Sequence, residues 1–162
     1  MNWTLSHRAD TQALPLADRH YNRQKPGTPQ FVPPGSCFVL IASGALWVTS
    51  FPYAQYTKHA WAGAWMNSLF RRESGPLASE LIREAVSCTR WFYGEPPALG
   101  MVTFVNADKV RHKRDPGRCY RKAGFKHVGF TEGGLWAFQL LPEDMPQPQA
   151  PHGAQLGLEM IA

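Results

Sequence analysis

Acidic residues are in short supply in this chain. Asp plus Glu number 12 against 17 Lys plus Arg, a formal net charge of +5 over 162 residues. That balance points to an anionic partner: nucleic acid, or a phosphate-bearing cofactor. Cysteine is scarcer still, and Cys37, Cys88 and Cys119 lie far apart. No CxxC or Cys/His ligand spacing is present, so neither a zinc site nor a disulfide framework is expected, and no metal ligand is assigned. No apolar run approaches the roughly 20 residues of a membrane span. The start, "MNWTLSHRAD", lacks the apolar core of a signal peptide. These absences imply a soluble protein of a reducing, cytoplasmic compartment with no membrane partner. A G-x-S-x-G elbow is also missing, which leaves no serine-triad chemistry to pursue. No internal repeat is visible.

What is present suits one domain with a real core: 44% of residues are hydrophobic and six are Trp. "NWTLSHR" reads as a short first strand, and Leu14 to Tyr21 as a short helix. "SCFVLIA" and "ALWVTSF" are apolar, β-branched runs either side of Ser43-Gly44, a hairpin signal. "AWMNSLF" is a third strand. From Leu77, apolar residues recur at Leu81, Ile82, Ala85, Val86, Thr89 and Phe92, which is helical spacing over about four turns. Gly75 and Pro76 fit its N-cap and first position, and Gly94 with Pro96-Pro97 ends it. "ALGMVTFV" is a buried strand, "GRCYRKAGF" a short helix, and "KHVGFTE" with "GLWAFQLL" a last hairpin. Proline-rich residues 142–162 read as a disordered tail on a domain spanning 1–141. The fold class is α/β, a mixed central sheet flanked by helices in a single domain.

Positive charge is concentrated. Eight of the 17 Lys and Arg fall between Lys109 and Phe130, with Asp115 the one acid. The first part of that stretch, "KVRHKRD", reads as a cationic loop at the mouth of a site. The second part is a short helix with Tyr120, Ala123 and Phe125 inward. Lys109, Arg111, Lys113, Arg114 and Arg118 are candidate phosphate contacts, which are salt-sensitive and blind to base sequence. Trp61, Trp65 and Trp91 are candidate stacking platforms for an extruded base. "RRESGPLASE" carries the other candidate anion site, a basic turn at a helix start, where unpaired N–H groups and the helix dipole favour phosphate. Asp108, just past a buried strand, is placed to accept a proton from an amine.

The element order, with "YRKAGFKHVG" as its most specific part, resembles the GNAT family of acyl-CoA N-acyltransferases over roughly Trp3 to Leu141. Within that family, "RHY", "FVNAD" and "GRCYRKAGFKHVG" look most like the phage Mom-type group, GNAT-like enzymes that modify adenine in DNA. The resemblance implies acetyl-CoA or a related acyl-CoA as donor. It places the donor's pyrophosphate on Arg71, Arg72, Ser74, Gly75, Leu77 and Ala78, with Asn106 beside it. Arg72-Glu73-Ser74-Gly75 matches the first half of the family's phosphate pattern. Pro76, which lacks an N–H, and Leu77, where Gly or Ala is usual, depart from it. Tyr120 takes the family's general-acid position for the departing thiolate, while His20 and Tyr21 line the acceptor cleft with Asp108. Asn106 precedes Tyr120 by a longer separation than the family's, and the extra residues coincide with "KVRHKRD". The expected function is therefore an acyltransferase modifying an amine of a DNA base. A GNAT acting on a small-molecule or protein amine is the alternative, and a non-catalytic nucleic-acid-binding module is the third. Acyl group, acceptor base and oligomeric state are not legible.

Overall fold

Among the described residues seven strands form one mixed sheet, the apolar runs supplying its central strands. The computed structural model describes residues 1–20, 23, 26–27, 31–33, 35–52, 54–109 and 115–154. The strands are β1 (Thr4–Leu5), β2 (Ser36–Ala42), β3 (Ala45–Phe51), β4 (Trp65–Arg72), β5 (Met101–Val105), β6 (Lys126–Phe130) and β7 (Trp136–Leu140). Their order is β1-β2-β3-β4-β5-β7-β6. Every neighbouring pair is antiparallel except β4 and β5. A parallel pair needs a crossover, and helix α2 (Ala78–Tyr93) supplies it. The β2–β3 hairpin closes through Gly44, whose φ of 74° is open to glycine at little cost.

Helix α2 buries the stripe read from its sequence: Leu81, Ile82, Ala85, Val86 and Thr89 face the sheet together with Ser87 and Cys88. They meet Phe38, Leu40, Trp47 and Trp65 from the strands, and Tyr120 and Ala123 near the short helix α3 (Arg118–Lys122). The opposite face is covered by α1 (Leu14–Asp18), whose Leu16 and Ala17 pack on Val39, Leu46, Val48 and Leu69. Trp47 Nε1 donates to Thr49 Oγ1 at 2.7 Å, and that hydroxyl lies 2.9 Å from Thr89 Oγ1. The Trp47 indole and the Thr49 and Thr89 hydroxyls are thus paired, whereas Trp65 Nε1 in the same core is buried without a hydrogen-bond partner among the described residues.

Three expectations change. Helix α2 begins at Ala78 with Leu77 as its N-cap, not at Gly75-Pro76. Gly75 has a φ of 97°, outside the helical region, so it belongs to the turn before the helix. Helix α1 stops at Asp18, short of Tyr21, which lies outside the described residues. Residues 142–154 are not a free tail. Met145 is buried in the α2-side core, Gln149 N donates to Ser87 O at 3.1 Å, and Leu5 N and Trp3 O bracket His152 at 2.8 and 2.9 Å. Prolines lose little entropy on ordering, so a few buried contacts suffice to hold such a segment. Residues 155–162 lie outside the described residues.

Candidate functional site

β4 is the longest strand, and its two neighbours do not follow it equally. It pairs with β3 as far as Arg72, opposite Ala45. It pairs with β5 over only three positions, Trp65↔Met101, Met66↔Val102 and Asn67↔Thr103. Beyond these the strands part, and β5 continues along β7 instead. A β-bulge sits at the same level: Val48 pairs with Leu69 and Thr49 with Asn67, so Ser68 is the extra residue.

Asn67 holds the point of parting. Its Nδ2 donates to Val48 O at 3.1 Å and Leu69 O at 2.9 Å, carbonyls beside the bulge. Thr103 Oγ1 donates across to Asn67 O at 3.1 Å. With both amide hydrogens spent on carbonyls, Asn67 Oδ1 must accept, and the Tyr120 hydroxyl donates to it at 2.6 Å. Asn67 and Tyr120 are both buried. A rigid strand thereby fixes the phenol, and its hydrogen lies on the Asn67 side.

The parting opens a cavity of about 720 Å³, within the usual range for small-molecule sites. Both faces of the sheet contribute to it. Arg19 and His20 come from the end of α1, Ala78 and Ser79 from the start of α2, and Arg118 and Tyr120 from α3. Its Lys, Arg, Asp and Glu lining is strongly one-signed, with Arg19, Arg71, Arg72, Lys109, Arg118 and Lys122 against Asp115. Asp115 is itself paired with Arg121.

The basic turn before α2 is more committed than its sequence implies. Arg72 Nε donates to Pro76 O at 2.6 Å and Arg72 Nη2 to Gly75 O at 2.9 Å, so much of this guanidinium clamps the turn. The N–H groups of Glu73 and Ser74 both point at Gly44 O, at 2.7 and 3.3 Å. Ser74 and Gly75 do not line the cavity. Leu77 does line it and is 64% exposed. Its side chain offers no acceptor, so the first-turn amides of α2 have no side-chain cap. The first-turn residues of α2 on the cavity lining are thus Ala78 and Ser79; Ser79 was not among the expected residues.

Alternation along β4 also divides the two arginines. Leu69 packs with α1 and Phe70 with the α2-side core. Arg71 therefore follows Leu69 to the α1 face, and Arg72 follows Phe70 to the α2 face. Arg71 leaves the set expected around the α2 start. It joins Arg19 on Glu73 instead: Arg19 Nε and Nη2 donate to the carboxylate at 2.5 and 2.7 Å, and Arg71 Nε at 3.1 Å. The Arg19 hydrogen bonds in particular hold the Glu73 carboxyl below the ordinary carboxylate range.

Other expected residues fall in different places. His20 lines the cavity. Asp108 is exposed and does not line it. Asn106 forms a turn, its Oδ1 accepting from the N–H groups of Asp108 and Lys109 at 3.1 and 3.2 Å. That explains the local sequence: an Asn closing a turn on residues two and three ahead. Arg111, Lys113 and Arg114, like Tyr21, lie outside the described residues. Trp65 is fully buried and offers no face to a base, and Trp91 packs against the same core. Trp61 lies on the other face, its ring 5.8 Å from Phe104 and 6.2 Å from His59. Burial, with Glu84 adding, pushes the Cys88 thiol up to about 12, so it is a packing residue and no nucleophile.

Among the described residues no group of three or more His, Cys, Asp or Glu could hold a metal ion, and no helix is long and apolar enough to cross a membrane. No family model matches the chain, and no match is found among the curated proteins or the solved structures. The site is therefore read from its own geometry.

Proposed function

We propose that this chain is a GNAT-like N-acyltransferase that modifies an amine of a DNA base with an acyl-CoA-type donor, as in the Mom-type group its motifs resemble. The observation that carries the reading is the parting of β4 and β5 after Asn67 and Thr103. It leaves a slot through the sheet, with an uncapped helix start at one edge and an anchored phenol within. Such a slot can admit two substrates from opposite faces, which a transfer reaction requires.

The residues present fit a phosphate-bearing donor. The first-turn amides of α2 at Ala78 and Ser79 aim partial positive charge at the cavity, and Lys122 and Arg118 stand on the same lining. When bound, the donor supplies a thioester as the activated acyl group. This chain's own part is to orient and to move protons. The Tyr120 hydroxyl donates to Asn67 Oδ1 in this structure and would turn from it to protonate a departing thiolate. His20, on the lining nearest α1, is the candidate acceptor-side group. Lys109 and Arg118 give the cavity a positive rim on which a polyanion would lie.

Incubation with acetyl-CoA and duplex DNA, then digestion and mass spectrometry of the nucleosides, tests the reading. The expected product is a nucleoside heavier by one acyl group. Tyr120→Phe should lower turnover roughly 10²-fold, the usual weight of a lost acid–base group, with donor affinity unchanged by calorimetry. Acylation of a small amine or peptide but never of DNA would move the assignment to the alternative acceptor. DNA binding with neither acyl product nor acetyl-CoA heat would make the chain a binding module.

A further inference from the structure

The arginine pair on the α1 face is not used by the donor half of that reading. Arg19 ends α1, Arg71 stands on the open half of β4, and both line the cavity. Glu73 joins them without lining the cavity itself. Its carboxylate takes the Nε edge of each guanidinium. That leaves Arg19 Nη1 and both Nη atoms of Arg71 without a hydrogen bond among the described residues. Two guanidiniums held at a common anchor, with donors left over beside a cavity, form a fork suited to a tetrahedral oxyanion. Arg72, on the other face, has turned most of its fork onto Gly75 and Pro76. The cavity is therefore lined by helix-start residues from one face and by arginine side chains from the other.

We infer that Arg19 and Arg71, oriented by Glu73, receive a backbone phosphate of the nucleic-acid acceptor on the α1 face, opposite the donor's phosphates. This rests on the reading of DNA as acceptor. The chemistry required is that of a phosphodiester. A donor phosphate offers the same oxyanion, so the test separates the two sources.

Fluorescence anisotropy of a labelled duplex, titrated with salt, is measured for the parent, Arg19→Gln, Arg71→Gln and Lys126→Gln. The last removes one charge from Lys126, exposed on the edge strand β6 and not on the cavity lining. Thermal shift with CoA is measured on the same four proteins. Arg19→Gln and Arg71→Gln should each weaken DNA binding roughly tenfold, the size of one charge-assisted contact. Each should also cut the log–log salt slope by about 0.9. Lys126→Gln should leave the slope at the parent value, and the CoA shift of Arg19→Gln should match the parent's. Both arginine variants lose only a surface ion pair, so they should remain folded. If Arg19→Gln instead removes the CoA shift, the fork belongs to the donor. If neither slope nor shift changes, Glu73 merely ties α1 to β4 and the inference is wrong while DNA binding by the parent stands. A parent that binds no DNA at low salt overturns both this inference and the nucleic-acid half of the proposed function.

Discussion

The first three residues of β4 and its last five belong to one strand yet behave as two materials. Met66 and Asn67 have a paired strand on each side, and Trp65, paired with Met101, packs in the α2-side core. Ser68 to Arg72 have a strand on one side only, and their other edge faces a cavity rimmed by cations. Packing governs the closed half, where Trp65 is fully buried. Electrostatics governs the open half, where Arg71 and Arg72 turn to opposite faces and find different partners. A strand that outruns one neighbour converts a core element into a site without adding a residue of loop.

The largest effect that separates the halves lies in the closed one. Trp65→Ala should cost about 3–5 kcal/mol, the range for emptying a buried aromatic site, read by urea denaturation. Trp65→Phe is more telling. Trp65 Nε1 is buried with no hydrogen-bond partner among the described residues, so deleting that N–H removes a penalty along with the ring volume. Trp47→Phe loses the bond to Thr49 Oγ1 and should cost more than Trp65→Phe. Equal losses would mean that the indole nitrogens do not decide the difference. In the open half, Arg71→Ala should change stability by under about 0.5 kcal/mol, as surface changes usually do.

Next in size is the boundary itself. Asn67→Leu keeps the branched shape of the side chain but removes its polar contacts at the parting point, leaving only the Thr103 Oγ1 bond to the main-chain Asn67 O. It takes the Asn67 Nδ2 bonds from Val48 O and Leu69 O and the Oδ1 acceptor from the Tyr120 hydroxyl. Leaving buried partners unsatisfied costs about 1–3 kcal/mol. Asn67→Leu should thus be destabilised by that order, with Tyr120→Phe nearer the parent. If Tyr120→Phe proves as costly as Asn67→Leu, the phenol is a structural keystone rather than a group held for chemistry.

How far this was legible in the sequence follows the same division. Local patterns announced the closed parts: the apolar stripe of α2, the Ser43-Gly44 hairpin and the β5 run all fold as their periodicity implies. The cavity was less legible, because strand pairing across β4 and β5 is non-local and no periodicity encodes where two strands part. One signal was there. Asn67 is a polar residue within the apolar run "WMNSLF", and a buried amide must be satisfied by something distant. Gly75-Pro76 misled in the other direction, since the same dipeptide punctuates a turn or opens a helix. Proline content alone made 142–154 look free, whereas Met145 and the His152 backbone bind it down. Arg71 was grouped with Arg72 because they are adjacent, and adjacency on a strand means opposite faces.

The smallest predicted effect concerns the far side of the open half, where β5 runs on past Thr103 to Phe104. His59 lies against that ring, 5.1 Å between centroids, and its Nδ1 accepts from Trp61 N at 3.1 Å. Accepting that bond requires the unprotonated nitrogen, and burial pushes the imidazole below its ordinary value of 6.5. The unfolded imidazole therefore takes up its proton first as pH falls. Between the two values the unfolded chain holds the extra proton, so stability declines as pH drops. Above 6.5 both forms are neutral and this group adds no slope; below the folded value its loss is complete. Glu73, held down mainly by Arg19, titrates at more acid pH, where its own stabilisation is lost in turn. Urea midpoints followed from about pH 8 to about pH 5 should decline for the parent and flatten for His59→Phe, which keeps a ring beside Phe104 without a titrating nitrogen. If the two decline in parallel, another group sets the slope and His59 serves only as packing.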